Sequence, residues 1–380
     1  MHDQSPFELP RQYVELHEQA RQLAESVSGI AARADEADDI DPEMRAALAE
    51  SGLAAIQVPA EYGGRFAHVD ALAVTVVREA LAAESAHLDS LLGLQGIGSY
   101  AIGVGGREEL AREWLPRVAR LDAIASLGLT EPHVGSDLKA LSTTIVEERG
   151  ELVINGHKTF ITNAGDADFC CVLGREGDGY SLVFVPMDAP GVSTSKPNQI
   201  IAAHVLGDVV LDGVRVPVGN RLGEPGKGFK MVLSTLATFR VSVAGAAVGM
   251  AQSGLVEAVR HASGREQFGV SLDRLGSVPE RLATSWTELE MARALTYRAG
   301  AAATRDPAGN LHLSSMAKVG ATEVAGRVID RSLQTMGRFG LTRGSKIERL
   351  YREARPMRIY EGATEVVLDS LAKQLVKRTT

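Results

Sequence analysis

Between about residues 122 and 227 the apolar residues stop recurring at helical spacing and gather into short runs rich in Val, Ile, Leu and Thr, separated by Gly, Asp, Asn and Pro. On either side the helical period holds. That change of period predicts an α+β multidomain chain: an N-terminal α-helical domain over 1–121, a middle antiparallel β domain over 122–227 and a C-terminal four-helix-bundle domain over 228–380. With 380 residues the chain is too long for one ordinary core and suits two or three domains.

In the first part, Val14 to Ala32 carries apolar residues at helical spacing. Asp41-Pro42-Glu43 starts a second helix, with Asp as the cap and Pro in the first turn, and Gly52 ends it. Ala71–Ala83, Leu88–Ile102 and Arg107–Arg120 read as further helices, and Pro59 to Gly64 as a loop. Strands are expected at Ser142–Val146, Glu151–Ile154, Phe169–Leu173, Ser181–Pro186 and Val209–Val216. After them come long helices at Gly228–Ser263, from Ser277 to about Thr304, and at Leu313–Met336, then shorter ones at Ser345–Glu353 and Val366–Lys377. Ser277 and Glu280 have the spacing of a capping box.

The formal net charge is −8 and Lys and Arg are dispersed, so there is no electrostatic footprint for nucleic acid. The longest uncharged run, between Arg240 and Glu257, is shorter than the roughly 18 residues that a spanning helix needs. Its Gly, Ala and Ser content predicts a helix packed closely on other helices. Met1 to Glu8 is polar and lacks the layout of a secretion signal, so a cytoplasmic, membrane-free enzyme is expected. Cys170 and Cys171 are adjacent in an apolar run, which predicts buried thiols on opposite faces of a strand and no metal site.

Five stretches carry chemistry. Arg358-Ile359-Tyr360-Glu361-Gly362 places a carboxylate on a loop before the last helix, with Thr364 or a neighbour able to cap that helix; a carboxylate so placed suits general-base work once it is dried. Leu129 to Asp137 offers small hydroxyl residues and glycine for close backbone approach. In Lys158 to Asp168, Phe160 and Thr162 share one strand face, an aromatic platform with a hydroxyl beside it, as a flat heteroaromatic ring requires. Arg265-Glu266-Gln267-Phe268-Gly269 ends a helix with an arginine able to fork onto a pyrophosphate. Gln334-Thr335-Met336-Gly337 supplies an amide and a glycine. Singly, each also fits an ordinary turn, core aromatic or helix-end charge. No GxGxxG follows a strand and no Walker A sequence is present.

In this order and at these separations the five stretches, with Tyr62-Gly63-Gly64, resemble the acyl-CoA dehydrogenase family over essentially the whole chain. The resemblance implies FAD as cofactor and α,β-desaturation of an acyl thioester, with Glu361 removing the α-proton and flavin N5 taking the β-hydride. It implies flavin contacts from Thr130, Ser136, Phe160 and Thr162, and contacts to the ADP half from Arg265, Gln267, Phe268, Gln334 and Gly337 of a neighbouring subunit. Thr364 and Glu365 join the cofactor contacts, and Arg240, Tyr360 and Gly362 the substrate contacts. The implied partners are an acyl-CoA or acyl-carrier-protein substrate, a separate electron acceptor such as an electron-transfer flavoprotein, and copies of the chain in a homotetramer or homodimer. Some relatives carry the base just before an arginine of the first bundle helix; that position is Phe239 here, ahead of Arg240.

Four positions depart from the family pattern: His133, Arg338, Ala363, and the stretch Pro197 to Val205 where a glycine–arginine–serine sequence is usual. The last bears on the substrate wall and admits a carrier-tethered substrate, although His204 itself reads as a plain strand histidine. A flavin oxidase or monooxygenase relative, and a non-enzymatic helical protein that kept the fold, are the competing readings.

Overall fold

The structure, a computed structural model, describes residues 9–195 and 198–379. Met1 to Glu8, where no signal layout was read, and Pro197 of the altered stretch lie outside the described residues. The helices are α1 (Arg11–Ser26), α2 (Ser28–Ala34), α3 (Pro42–Ser51), α4 (Ala71–Ala82), α5 (Ala86–Gly105), α6 (Glu108–Ala119), α7 (Gly228–Gly264), α8 (Val278–Arg305), α9 (Leu311–Met336), α10 (Lys346–Ala354) and α11 (Thr364–Thr379). The strands are β1 (Ala125–Gly128), β2 (Thr144–Glu148), β3 (Glu151–Thr162), β4 (Phe169–Glu176), β5 (Gly179–Pro186), β6 (Val192–Ser195), β7 (Leu206–Pro217), β8 (Arg221–Leu222), β9 (Glu266–Gln267) and β10 (Val270–Ser271). The helix, strand, helix succession is the one that the change of period predicts.

Local rules explain several boundaries. Asp41 accepts from the N–H groups of Glu43 and Met44, Pro42 opens α3, and Gly52 closes it in the left-handed region at φ 67°. The expected capping box at α8 does not form: Ser277 occupies the N-cap with φ −89° and ψ 3°, away from extended backbone, and its side chain makes no cap bond. The single periodic segment from Val14 to Ala32 is divided at Val27 into α1 and α2.

The described residues form two compact units, one of 9–32, 71–89 and 240–379, the other of 33–70, 90–195 and 198–239. In the second, the sheet runs β6-β7-β3-β2-β4-β5-β8, with β1 also on β4. It is not wholly antiparallel. β1 lies parallel to β4, Ala125 opposite Phe169, and β2 meets β4 in parallel at Thr144 and Arg175. The intervening chain is long enough to cross over, as a parallel pair requires. Cys170 and Cys171 point to opposite faces of β4 into separate apolar cores, both fully buried.

In the first unit, α7 packs on α4 with almost no side chain between them. A Cβ at Gly245 would lie 2.4 Å from the Thr75 carbonyl oxygen, and one at Gly249 1.9 Å from that of Glu79. Small residues therefore set the helix separation. α7 is long and apolar enough to cross a membrane by composition, but 78% of its most apolar window is buried within the protein, the position of a core helix.

Gly249→Ala is accordingly expected to cost about 1–3 kcal/mol or more in chemical denaturation, because overpacking outweighs the helix propensity gained. Gly320→Ala, on α9, is the control: a Cβ there meets nothing nearer than 3.9 Å, and the variant should be neutral or slightly stabilised.

Candidate active site

Glu361 sits on the loop between the short turn Pro356–Arg358 and α11. Its φ is 51°, in the left-handed region that non-glycine residues seldom enter, and Gly362 follows at φ 105°. The carboxylate oxygen Oε2 is buried with no hydrogen-bond partner. Burial raises the pKa of Glu361; Arg78, Arg240 and Lys318 pull it down, and Asp89 adds to the rise. The balance leaves it above the ordinary carboxylate range.

The surrounding charges come from different helices of one unit. Arg78 of α4 forms a bidentate pair with Asp89 of α5, at 2.8 and 2.7 Å, and gives a third bond of 2.9 Å to Ser242. Arg240 of α7 donates to Ser315 at 3.0 Å, while its buried Nε has no partner. Lys318 of α9 is fully buried and donates to the Gly362 carbonyl at 2.7 Å. Burial pushes Lys318 down to about 8, against the opposing pull of Glu361. Sequence reasoning places Glu361, Arg240, Tyr360 and Gly362 together, and the structure brings them together: a Cβ at Gly362 would lie 3.3 Å from the Arg240 guanidinium. It misses Arg78, Asp89 and Lys318, each of which reads in sequence as an ordinary charge on a helix.

Thr364 does not cap α11. It is the first helical residue, and its hydroxyl donates to Glu323 at 3.0 Å, a carboxylate that also accepts from Arg358 at 3.2 Å. Glu365 is exposed in the first turn of α11. Phe239 is buried and meets Tyr100 edge-on at 5.5 Å, so the rival base position is occupied by a core aromatic.

In the other unit the first two flavin-like stretches are joined. Thr159 N–H donates to Thr130 O at 2.9 Å. Lys158, fully buried, reaches Leu129 O at 3.1 Å and Glu131 at 2.8 Å. Glu131 also accepts from the N–H and hydroxyl groups of Ser142 and Thr143. Burial pushes its carboxyl up, but the bonds from Lys158, Ser142 and Thr143 outweigh burial and hold it at about 2. Phe160 has φ 54° at a register shift between β3 and β7 and is 53% exposed; Ile161 is buried and Thr162 is half-buried. Ser136 and His133 lie on the exposed part of the loop. His204 is not in a strand: it precedes β7 and shares a hydrogen bond of 3.3 Å with Ser90.

At one end of the helical unit the other two stretches meet. The Arg265 and Arg338 guanidinium groups lie 5.1 and 5.0 Å from the centre of the Phe339 ring, with the His261 ring at 5.3 Å. Among the described residues Arg265 has no carboxylate partner. Gln267 lies on β9, and Phe268 and Gly269 turn the β9–β10 hairpin with φ 52° and 80°. Two positive φ values suit Asn-Gly; a phenylalanine there is strained, and this one is 91% exposed. Gln334 and Gly337 are exposed close by in sequence to Phe339.

Comparison with known proteins gives three consecutive matches: the acyl-CoA dehydrogenase N-terminal domain over residues 11–122, the middle domain over 126–214 and the C-terminal domain over 226–376. The chain is 32% identical to cyclohexane-1-carbonyl-CoA dehydrogenase of Geobacter metallireducens, covering 95% of this chain and 96% of that one. It is also 32% identical to the mitochondrial short-chain specific acyl-CoA dehydrogenase of Rattus norvegicus, covering 97% and 91%. The solved structure of butyryl-CoA dehydrogenase from Megasphaera elsdenii superposes with a TM-score of 0.92 at 28% identity, over 98% of this chain and all of that one.

Glu131→Gln would leave Lys158 charged and buried without its counter-ion. The expected cost is about 3–5 kcal/mol in chemical denaturation. Native stability from this carboxylate is present above the usual pKa of about 4.3 and is lost as pH falls toward about 2, a dependence the variant should lack.

Proposed function

The chain belongs to the acyl-CoA dehydrogenase family, and on that footing we propose that it desaturates an acyl thioester between Cα and Cβ, with Glu361 as the base that takes the α-proton. The observation that carries this reading is the unpartnered, buried Oε2 of Glu361 on a strained loop. A carboxylate with a buried oxygen that has no direct donor is a stronger base than one in water, and its raised pKa brings it nearer the weak acid it must deprotonate. Arg78, Arg240 and Lys318 oppose that rise. An acyl chain that displaces the remaining water would raise the pKa further. The backbone N–H of Glu361 is our candidate donor to the thioester oxygen as enolate charge develops; one such donor is worth about 3–4 kcal/mol.

FAD is the proposed cofactor, and when bound it would supply the acceptor for the β-hydride. The residues present fit it. Phe160 is exposed, Thr162 follows two residues on, Thr130 is fixed by Thr159 and the Glu131–Lys158 pair, and Arg265 has donors unclaimed by any carboxylate among the described residues. Ser136, Gln267, Phe268, Gln334, Gly337, Thr364 and Glu365 complete the proposed cofactor set. Exposure and backbone strain at Phe268 support the reading that its hairpin serves a second copy of the chain in a homodimer or homotetramer. A separate electron acceptor, such as an electron-transfer flavoprotein, would reoxidise the enzyme. The altered stretch near 198–205 keeps a carrier-tethered acyl group in the substrate panel.

The test is anaerobic mixing of the purified yellow protein with acyl-CoAs and with the same acyl groups on a carrier protein, following loss of visible flavin absorbance. Glu361→Gln should retain FAD and lose reduction by about 10²–10⁴-fold. The base works only when ionised, so the acid limb of the native rate should lie above the ordinary glutamate range. Reduction of the variant at the native rate would overturn the assignment of the base.

A further inference from the structure

Glu361 could occupy many conformations on the loop between Arg358 and Thr364; it occupies one with φ 51°, next to a glycine at φ 105°. Something outside the loop must favour that backbone, because a strained residue persists only where its surroundings over-determine it. α9 supplies two anchors. Lys318 donates to the Gly362 carbonyl at 2.7 Å, the residue directly after the strained one. Five residues further along α9, Glu323 accepts from Thr364 at 3.0 Å and from Arg358 at 3.2 Å, one at each end of the loop. The Arg358 guanidinium passes close over α9 at Gly326, where a Cβ would come within 3.2 Å of it.

We propose that Lys318 is a positioning residue for Glu361, and that α9, through Lys318 and Glu323, clamps the loop in the conformation that presents the carboxylate. The inference rests on the reading of Glu361 as the base. Lys318 makes little sense as a stabilising residue. Its ammonium group is fully buried, near the like charge of Arg240, and its direct bond is to a neutral carbonyl. Burying a cation for one such bond is costly, and an apolar side chain of similar length is often as stable or more so. A second role accompanies the first. The charges facing Glu361 are Arg78 from α4, Asp89 from α5, Arg240 from α7, Lys318 from α9 and, from its own loop, the Tyr360 hydroxyl. Arg78, although paired with Asp89, acts with Arg240 and Lys318 to favour the ionised form of Glu361, so Lys318 is one of three cations that do so.

Lys318→Met tests this in the FAD-loaded protein. Thermal stability should be unchanged or higher, while flavin reduction falls by about 10²-fold, the usual effect of displacing a catalytic group by an ångström. Infrared difference spectra between each protein and its Glu361→Gln counterpart isolate the protonated-carboxyl band of Glu361 and need no substrate. The midpoint of that band should move to higher pH in Lys318→Met, because a cation that favoured the charged form is gone. If the folded variant keeps both the native midpoint and the native reduction rate, the proposal is wrong. Should Lys318→Met fail to fold, Glu323→Gln, which loosens the other anchor, takes its place: slower reduction with FAD retained supports the clamp, and a native rate refutes it. If no thioester reduces even the native protein, the proposed reaction fails, and the carboxyl titration alone still decides the clamp.

Discussion

The arrangement around Glu361 depends on one electrostatic balance. A carboxylate with one buried, unbonded oxygen is offset by cations fixed on three separate helices. Those helices must hold their separation for the balance to persist. Gly245 and Gly249 bring α7 into backbone contact with α4, so Arg240 and Arg78 are carried by elements that cannot slide apart without opening the core. Lys318 and Glu323 then tie the loop to α9. Packing, charge and loop conformation thus support one another within a single unit.

The sheet-bearing unit solves a different problem. Exposed Ser136 and Phe160, with half-buried Thr130 and Thr162, lie on a loop and a strand end that would otherwise be free to move independently. Glu131 and Lys158 join them in a buried ion pair in which every carboxylate oxygen is used. Such a pair fixes one geometry for the loop and strand, as the proposed flavin contacts would require.

The change of period that divides the chain was legible because it extends over a hundred residues, far longer than any local exception. The start and stop of α3 were legible because Asp41, Pro42 and Gly52 act within one turn of the backbone. β1 was not, because its four residues are a strand only through a parallel partner more than forty residues away. The unused capping box at Ser277 shows the same limit from the other side: the residues were present, but the backbone enters α8 at an angle that the pattern does not encode. In the site, Glu361 and Arg240 were reached through motif order. Lys318 was not, since a lone lysine in a helix reads as solvated until its burial is known. The positive φ values at Phe160, Phe268 and Glu361 carry no signature in residue type, and they became visible only as geometry.

The most direct measurement separates proton removal from the redox step. An acyl-CoA without β-hydrogens, deuterated at Cα, can lose its label to water only through a base. Followed by mass spectrometry, native protein should wash out the α-deuterium at a rate that rises with pH through the raised pKa of Glu361, and Glu361→Gln should not. Equal exchange by both proteins would show that another group takes the α-proton, and would contradict the central claim.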